Sequence, residues 1–135
     1  MDPAAGRSLR EAEELELVTR GRVSGRAHVV RLRFAYDDGT VWLRTDRRPP
    51  PADATGVSRA TAAQTSDWLR NLEHDGEARV RIGDLEFAAR YEPSTDPKAD
   101  LRRAVGLLRE KYGPEWVADW YLDSGRIPVK LRIAA

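Results

Sequence analysis

The turn "TRGRVSGR", early in the chain, carries the residue types best suited to bind an anion. Gly21 and Gly25 let the backbone approach a ligand closely, and Ser24 supplies a hydroxyl. Arg22 and Arg26 supply planar guanidinium groups, which bind phosphate or carboxylate through paired hydrogen bonds. The segment predicts an anion-binding turn, although a solvated basic turn whose glycines satisfy turn geometry alone fits the same residues.

Three further side chains are candidates for a site. His28 lies on the apolar face of a predicted strand, where a lone histidine is more often a hydrogen-bonded wall residue than a base; the arginines nearby also make it a candidate anion contact. Asn71 lies between Leu69 and Leu72 in a helical pattern, so its amide is expected to have a fixed hydrogen-bond partner. Trp68, three residues earlier, is expected to fill the core.

The sequence lacks the usual marks of several enzyme classes. It has no cysteine, and no histidine or acid stands at metal-ligand spacing, so no metal site is predicted. It also has no nucleotide P-loop, dinucleotide fingerprint, serine hydrolase elbow or zinc pattern. No residue stands out as catalytic, and any redox chemistry would have to come from a cofactor.

Composition predicts one globular domain over residues 1–135. The chain has a mass of 15.2 kDa, with 41% hydrophobic and 33% charged residues. Its net charge of +1 argues against a strongly basic polyanion binder, although the arginines are concentrated near the turn. It has no apolar run long enough to span a bilayer and no secretory signal, so we expect a cytoplasmic protein without a membrane span.

Alternating apolar residues predict six strands. They are residues 14–19, 27–36 and 40–45, a hairpin of two strands over 77–91 around Gly83-Asp84, and residues 127–134. The expected core side chains are Val30, Leu32, Phe34, Val41, Leu43, Val80, Ile82, Phe87, Val129 and Leu131. Arg31 and Arg33 are expected to stay exposed.

Helices and a loop are predicted between these strands. Residues 1–13 form an N-terminal helix or arm, with Ser8 as the capping residue. Residues 66–75 and 97–112 have helical periodicity, and residues 46–64 form a long proline-rich loop. The resulting fold class is mainly β (α+β), a six-stranded antiparallel split β-barrel with flanking helices, because no strand is the continuous apolar run of a parallel sheet.

Three segments carry a family resemblance. "ELVTRGRVSGRAHVVRLRFAYDDGTVWLRT", "SDWLRNL" and "ARVRIG", in this order, resemble the deazaflavin-dependent nitroreductase and quinone reductase family. These are small split-barrel proteins that bind coenzyme F420 and are related to the pyridoxamine-phosphate-oxidase-like FMN barrels. The resemblance implies an F420-dependent oxidoreductase that transfers a hydride between deazaflavin and a small organic substrate, with a homodimer as a possible assembly.

The resemblance also implies a set of cofactor-binding residues. Those around the phosphate and the tail of the cofactor are Arg22, Ser24, Gly25, Arg26 and His28. Those beside the deazaflavin ring are Trp68 and Asn71. The phosphodiester and oligoglutamate tail of F420 are both anionic, which matches the local positive charge of the turn.

Three other readings stay open from the sequence. The same barrel can bind FMN, whose phosphate the arginine turn would hold, or it can serve as a non-catalytic cofactor- or ligand-binding module. A nucleic-acid binder fits least, because it would need stacking aromatics beside the arginines. The nearby aromatics Phe34, Tyr36 and Trp42 are divided between the two strand faces.

Overall fold

The computed structural model describes residues 3–46, 68–113 and 126–134, with the side chains of 44–46 and 126–127 left aside. The elements in chain order are α1 (Pro3–Glu11), β1 (Leu15–Arg20), β2 (Ala27–Leu32), β3 (Ala35–Asp37), β4 (Thr40–Asp46), α2 (helical residues 68–74), β5 (Glu77–Ile82), β6 (Leu85–Glu92), α3 (Pro97–Tyr112) and β7 (Arg126–Ile133). The predicted proline-rich loop lies, beyond its first residue, outside the described residues. No helix in these three ranges is long and apolar enough to cross a bilayer.

The strands form one curled antiparallel sheet with the order β2-β1-β5-β6-β7-β4-β3. This confirms the predicted fold class, a mainly β split barrel with flanking helices. The predicted hairpin is present as β5 and β6, with Val80 opposite Phe87. The turn between β3 and β4 places Asp38 and Gly39 at φ values of 49° and 80°, a conformation that asparagine-like residues and glycine tolerate best.

The described sheet has seven strands where six were predicted, because the strand expected over 27–36 is two strands. β2 pairs with β1 at one edge of the sheet, and β3 pairs with β4 at the other. Phe34 lies between β2 and β3. Its backbone N–H donates a hydrogen bond to the Tyr112 hydroxyl at 3.2 Å. Lys111 Nζ donates to the Phe34 carbonyl at 3.1 Å. The end of α3 therefore takes up the backbone groups that would otherwise continue the strand.

Lys111 is held in an unusual environment at this break. Its ammonium nitrogen lies 3.7 Å from the ring centroid of Phe34 and 5.3 Å from that of Tyr112. Partial burial lowers the pKa of Lys111 to about 8, although the charge of Glu13 acts to raise it. Burial raises the pKa of Tyr112, whose hydroxyl also donates to the carbonyl of Glu13 at 2.6 Å.

The core lies on the inner face of the sheet. Six of the ten predicted core side chains are buried, namely Phe34, Val41, Leu43, Val80, Val129 and Leu131. The other four, Val30, Leu32, Ile82 and Phe87, are partly buried and pack against the same cluster. Arg31 and Arg33 are exposed, as predicted. Leu9 of α1 and the buried side chains Trp68, Leu69 and Leu72 of α2 complete this interior.

α3 packs on the outer face of the sheet. Its side chains Leu101, Val105 and Leu108 form a second cluster with Ala35 of β3. The helix begins at a proline, and the side chain of Asp96 accepts a hydrogen bond from the third helical residue.

The prediction that Ser8 caps the N-terminal helix is wrong. α1 begins at Pro3, and the Ser8 carbonyl accepts a helical hydrogen bond from Ala12 N at 3.0 Å. Ser8 therefore lies inside the helix, because proline at the first helical position starts it earlier.

Candidate functional site

The turn between β1 and β2 closes on itself through backbone groups. Gly21 N–H donates to the Arg26 carbonyl, and Gly25 N–H donates to the Gly21 carbonyl, both at 2.8 Å. The Ser24 hydroxyl accepts from Arg26 N at 3.1 Å. Gly25 has a φ of 72°, which favours glycine, and a Cβ on Gly21 would lie 2.8 Å from Ser24 Oγ. Gly25 is therefore needed for the backbone of this turn, and a side chain at Gly21 would displace the Ser24 hydroxyl.

A single buried amide joins this turn to α2. Asn71, only 3% exposed, accepts hydrogen bonds through Oδ1 from Arg22 N at 3.2 Å and from Arg22 Nη1 at 2.9 Å. Its Nδ2 donates to the hydroxyl of the buried Thr19 at 3.1 Å. The predicted need of Asn71 for fixed partners is thus confirmed, and the partners belong to β1 and the turn.

A cavity of about 490 Å³ lies beside the turn. It is lined by Arg20, Gly21, Arg22, Val23, Ser24, Gly25, His74 and Asp75. The guanidinium groups of Arg20 and Arg22 make this wall suitable for an anion. Asp75, which follows α2 and also lines the cavity, and the negative end of the helix dipole oppose that charge. The balance of charge on the wall is therefore basic but not uniformly so.

A second, larger cavity of about 950 Å³ extends from the turn across the outer face of the sheet. It shares Arg20, Gly25 and Asp75 with the first. Its floor combines small apolar side chains, including Val18, Ala27 and Ala88, with charged ones from β5, β6 and β7. Several of these charges are paired across the strands, as in the contact of Arg90 with Glu77 at 3.5 Å. The two cavities thus adjoin each other at the turn.

The structure brings together some of the predicted site residues and not others. Arg22, Ser24 and Gly25 line the cavity at the turn, and the exposed Arg26 ends the turn without lining either cavity.

His28 and Trp68 lie elsewhere. His28 is opposite Thr19 in the sheet, and its Nδ1 is buried with no hydrogen-bond partner among the described residues. Trp68 is 2% exposed within the core cluster.

Sequence reasoning missed Thr19 and Asp75. Thr19 is one more inward-facing residue of a strand, and its role becomes visible only once Asn71 is known to reach it. Asp75 follows the helix and carries no motif. The one sequence signal that could have pointed to Thr19 was Asn71, since a buried amide requires hydrogen-bond partners nearby. Within the described ranges, no group of three histidine or acidic side chains is placed to hold a metal ion.

The comparison with protein families identifies the chain. The family model of the F420H(2)-dependent quinone reductases matches residues 1–118. The chain belongs to this family. The family assignment confirms the resemblance read from the turn and the α2 segment. No curated protein matches the sequence of this family member.

Solved structures support the fold of this quinone reductase family member. An F420 reductase is 19% identical, with 96% of this chain and 93% of the other covered and a TM-score of 0.59. A conserved hypothetical protein from Mycobacterium tuberculosis is 20% identical, with 100% and 82% covered and a TM-score of 0.63. A FAD-binding protein from Mesorhizobium loti is 14% identical, with 100% and 91% covered and a TM-score of 0.59. At these identities the likeness concerns the fold.

Proposed function

We propose that the chain is an F420-dependent oxidoreductase that transfers a hydride between the deazaflavin and a small organic substrate. The observation that carries the proposal is the arginine-bearing turn at the cavity of about 490 Å³, in a chain of the F420H(2)-dependent quinone reductase family. The family name makes a quinone the first substrate to test. The fold itself would admit many chemistries, so the proposal rests on the turn and the family together.

The residues of the turn fit an anionic cofactor. Arg22 and Arg26 supply guanidinium groups, and Ser24 supplies a hydroxyl. No atom lies within 4 Å of the position that a Cβ of Gly25 would occupy, so the backbone there is open to a ligand. We therefore assign these four residues to the phosphate and tail of F420. Contacts of His28 and Trp68 with the cofactor stay predictions.

The chain's own part in the reaction is to bind and orient. F420, when bound, supplies the hydride chemistry. The turn would fix the anionic part of the cofactor, and the small apolar side chains of the adjoining larger cavity would accept an organic substrate.

Titration of the purified protein with F420 and with FMN, each followed by fluorescence, tests the proposal. F420 is expected to bind more tightly, because its oligoglutamate tail offers carboxylates that FMN lacks. Arg26→Ala should weaken binding of F420 more than binding of FMN. Oxidation of F420H2 by menadione then tests the activity. Tight binding of FMN alone would favour the FMN barrel, and binding of F420 without turnover would favour a non-catalytic module.

A further inference from the structure

Asn71 makes three hydrogen bonds from α2 to the turn and to β1. Its carbonyl oxygen meets two donors of one residue, the backbone N–H and the guanidinium of Arg22. Its amide nitrogen meets the Thr19 hydroxyl. The opposite amide orientation would place an NH₂ group against two N–H donors, so the hydrogen-bond network selects this orientation. The Thr19 contact thus keeps the oxygen of Asn71 directed at Arg22.

The position is one where an apolar residue would ordinarily stand. The neighbours Leu69 and Leu72 are each 1% exposed, and Asn71 is 3% exposed. Burying an amide among them is unfavourable unless its hydrogen bonds are made, and a leucine would pack without that requirement. The amide of Asn71 therefore has a role beyond packing, namely its hydrogen bonds. Two of these hydrogen bonds are accepted from Arg22, so the role of the amide concerns Arg22.

We propose that Asn71 is a positioning residue for the anion site: it orients the Arg22 guanidinium toward the ligand and does not contact the ligand itself. The backbone N–H and the Nη1 group of Arg22 both donate to one oxygen of Asn71, which fixes the side chain relative to its own peptide. Pre-ordering the guanidinium in this way removes part of the entropy cost of binding an anion. The proposal rests on the proposed function, since it deepens the assignment of the same turn.

The amide of Asn71 carries no charge, and this matters for the positioning of Arg22 beside an anion. A carboxylate at position 71 would accept the same two hydrogen bonds from Arg22. It would also place a negative charge within hydrogen-bond distance of the guanidinium and repel an incoming phosphate. An amide positions the arginine without adding that charge. Asn71→Asp therefore separates positioning from electrostatics.

A double-mutant cycle with F420 fluorescence titration tests the role of Asn71. The four proteins are the parent, Arg22→Ala, Asn71→Ala and the double variant. Asn71→Ala is expected to raise the Kd about tenfold in the parent and less than about twofold in the Arg22→Ala background, because its effect passes through Arg22. Equal losses in both backgrounds would overturn the proposal, since a general structural defect would weaken binding with or without Arg22.

Asn71→Asp provides a second variant that retains the acceptor oxygens, in case Asn71→Ala does not fold. It is expected to keep the hydrogen-exchange protection of the Arg22 amide and still weaken F420 binding by about tenfold. Binding as tight as that of the parent would contradict the proposal.

A second probe keeps this proposal distinct from the proposed function. The same proteins are titrated with inorganic pyrophosphate, followed by the NMR signal of the backbone amide of residue 22. If the parent ignores F420 but binds pyrophosphate with the expected dependence on Asn71, the F420 function fails and the role of Asn71 stands. If the parent binds F420 while Asn71→Ala and Asn71→Asp both bind it like the parent, only the role of Asn71 fails. If the parent binds neither ligand, both proposals fail.

Discussion

Tyr112 and Phe34, 78 residues apart in the sequence, are joined by a hydrogen bond of 3.2 Å from the Phe34 backbone N–H to the Tyr112 hydroxyl. The same hydroxyl donates to the carbonyl of Glu13. One side chain at the end of α3 thus connects the break between β2 and β3 with the segment that follows α1. This contact holds the bend that distinguishes the structure from a continuous strand.

Tyr112→Phe should lower the free energy of unfolding by about 1–3 kcal/mol, the cost of leaving a buried backbone group without its partner. The phenyl ring keeps its packing, so the change isolates the hydroxyl. Urea unfolding of the variant and the parent measures the difference. An unchanged midpoint would mean that water replaces the hydroxyl at Phe34 without loss.

Lys111 should make the fold more stable as the pH rises from 8 to 10. Its folded pKa is about 8 and its ordinary value 10.5, so the unfolded chain binds more protons over this interval. Stability from this group is fully present above 10.5 and is lost as the pH falls through 8. Urea unfolding at several pH values should show the rise in the parent and its loss in Lys111→Met.

The Lys111 measurement stops at pH 10 because of Tyr112. The pKa of Tyr112 is raised above its ordinary value of 10.0, so its contribution to stability is lost at higher pH. The two groups therefore act in opposite directions, and the interval from pH 8 to 10 keeps the contribution of Lys111 apart from that of Tyr112. A parent whose stability does not change between pH 8 and 10 would contradict the role given to Lys111.

Arg22→Ala should weaken F420 binding by about 1.5–3 kcal/mol, or roughly 10- to 150-fold in Kd, the range for a hydrogen bond to a charged group. Stability should fall by only about 0.5–1.5 kcal/mol, because Asn71 keeps the hydrogen bond from the backbone of residue 22. Arg31→Ala is the matched control, since Arg31 is exposed, lies in β2 opposite Glu16 outside the turn, and lines neither cavity. Equal effects of the two variants on Kd would show that the turn does not bind the cofactor.

Asp75→Asn should strengthen F420 binding by up to roughly fivefold, the equivalent of about 1 kcal/mol for a partly exposed charge. The carboxylate lies on the wall of the cavity that also holds Arg20 and Arg22, where it repels an anion. The gain should shrink as salt is added, because exposed charges are screened. Glu110→Gln, on the exposed side of α3, controls for net charge. A loss of affinity in Asp75→Asn would show that the carboxylate orders the turn instead.

The sequence was most informative where local patterns decide the structure. Alternation predicted the faces of β1, β5 and β6, and glycines marked the turns at 39 and 83, where φ is positive. It could not predict the division of residues 27–36, because the pattern there alternates without interruption. The cause is a contact with Tyr112, which lies far along the chain and leaves no trace in the local pattern.

The site shows the same limit. The turn itself could be located from the sequence, since glycine and serine mark a tight turn and arginine supplies groups that can bind an anion. Its role as a cofactor site stays a prediction. The need of Asn71 for a partner could also be read, but the identity of the partner could not, because Asn71 and Arg22 are 49 positions apart. The family resemblance covered the motifs and gave no account of Thr19 or Asp75.

The break at Arg33 and Phe34 also limits how far the barrel can open. β2 and β3 lie at opposite edges of the sheet, and only these two residues connect them. With about 3.8 Å between consecutive Cα atoms, the path from Leu32 to Ala35 spans at most about 11 Å. The covalent chain would therefore keep the two edges close even if the end of α3 detached. The two edges of this small barrel are thus held together by the covalent chain as well as by packing. The covalent link remains even when the packing of α3 is lost.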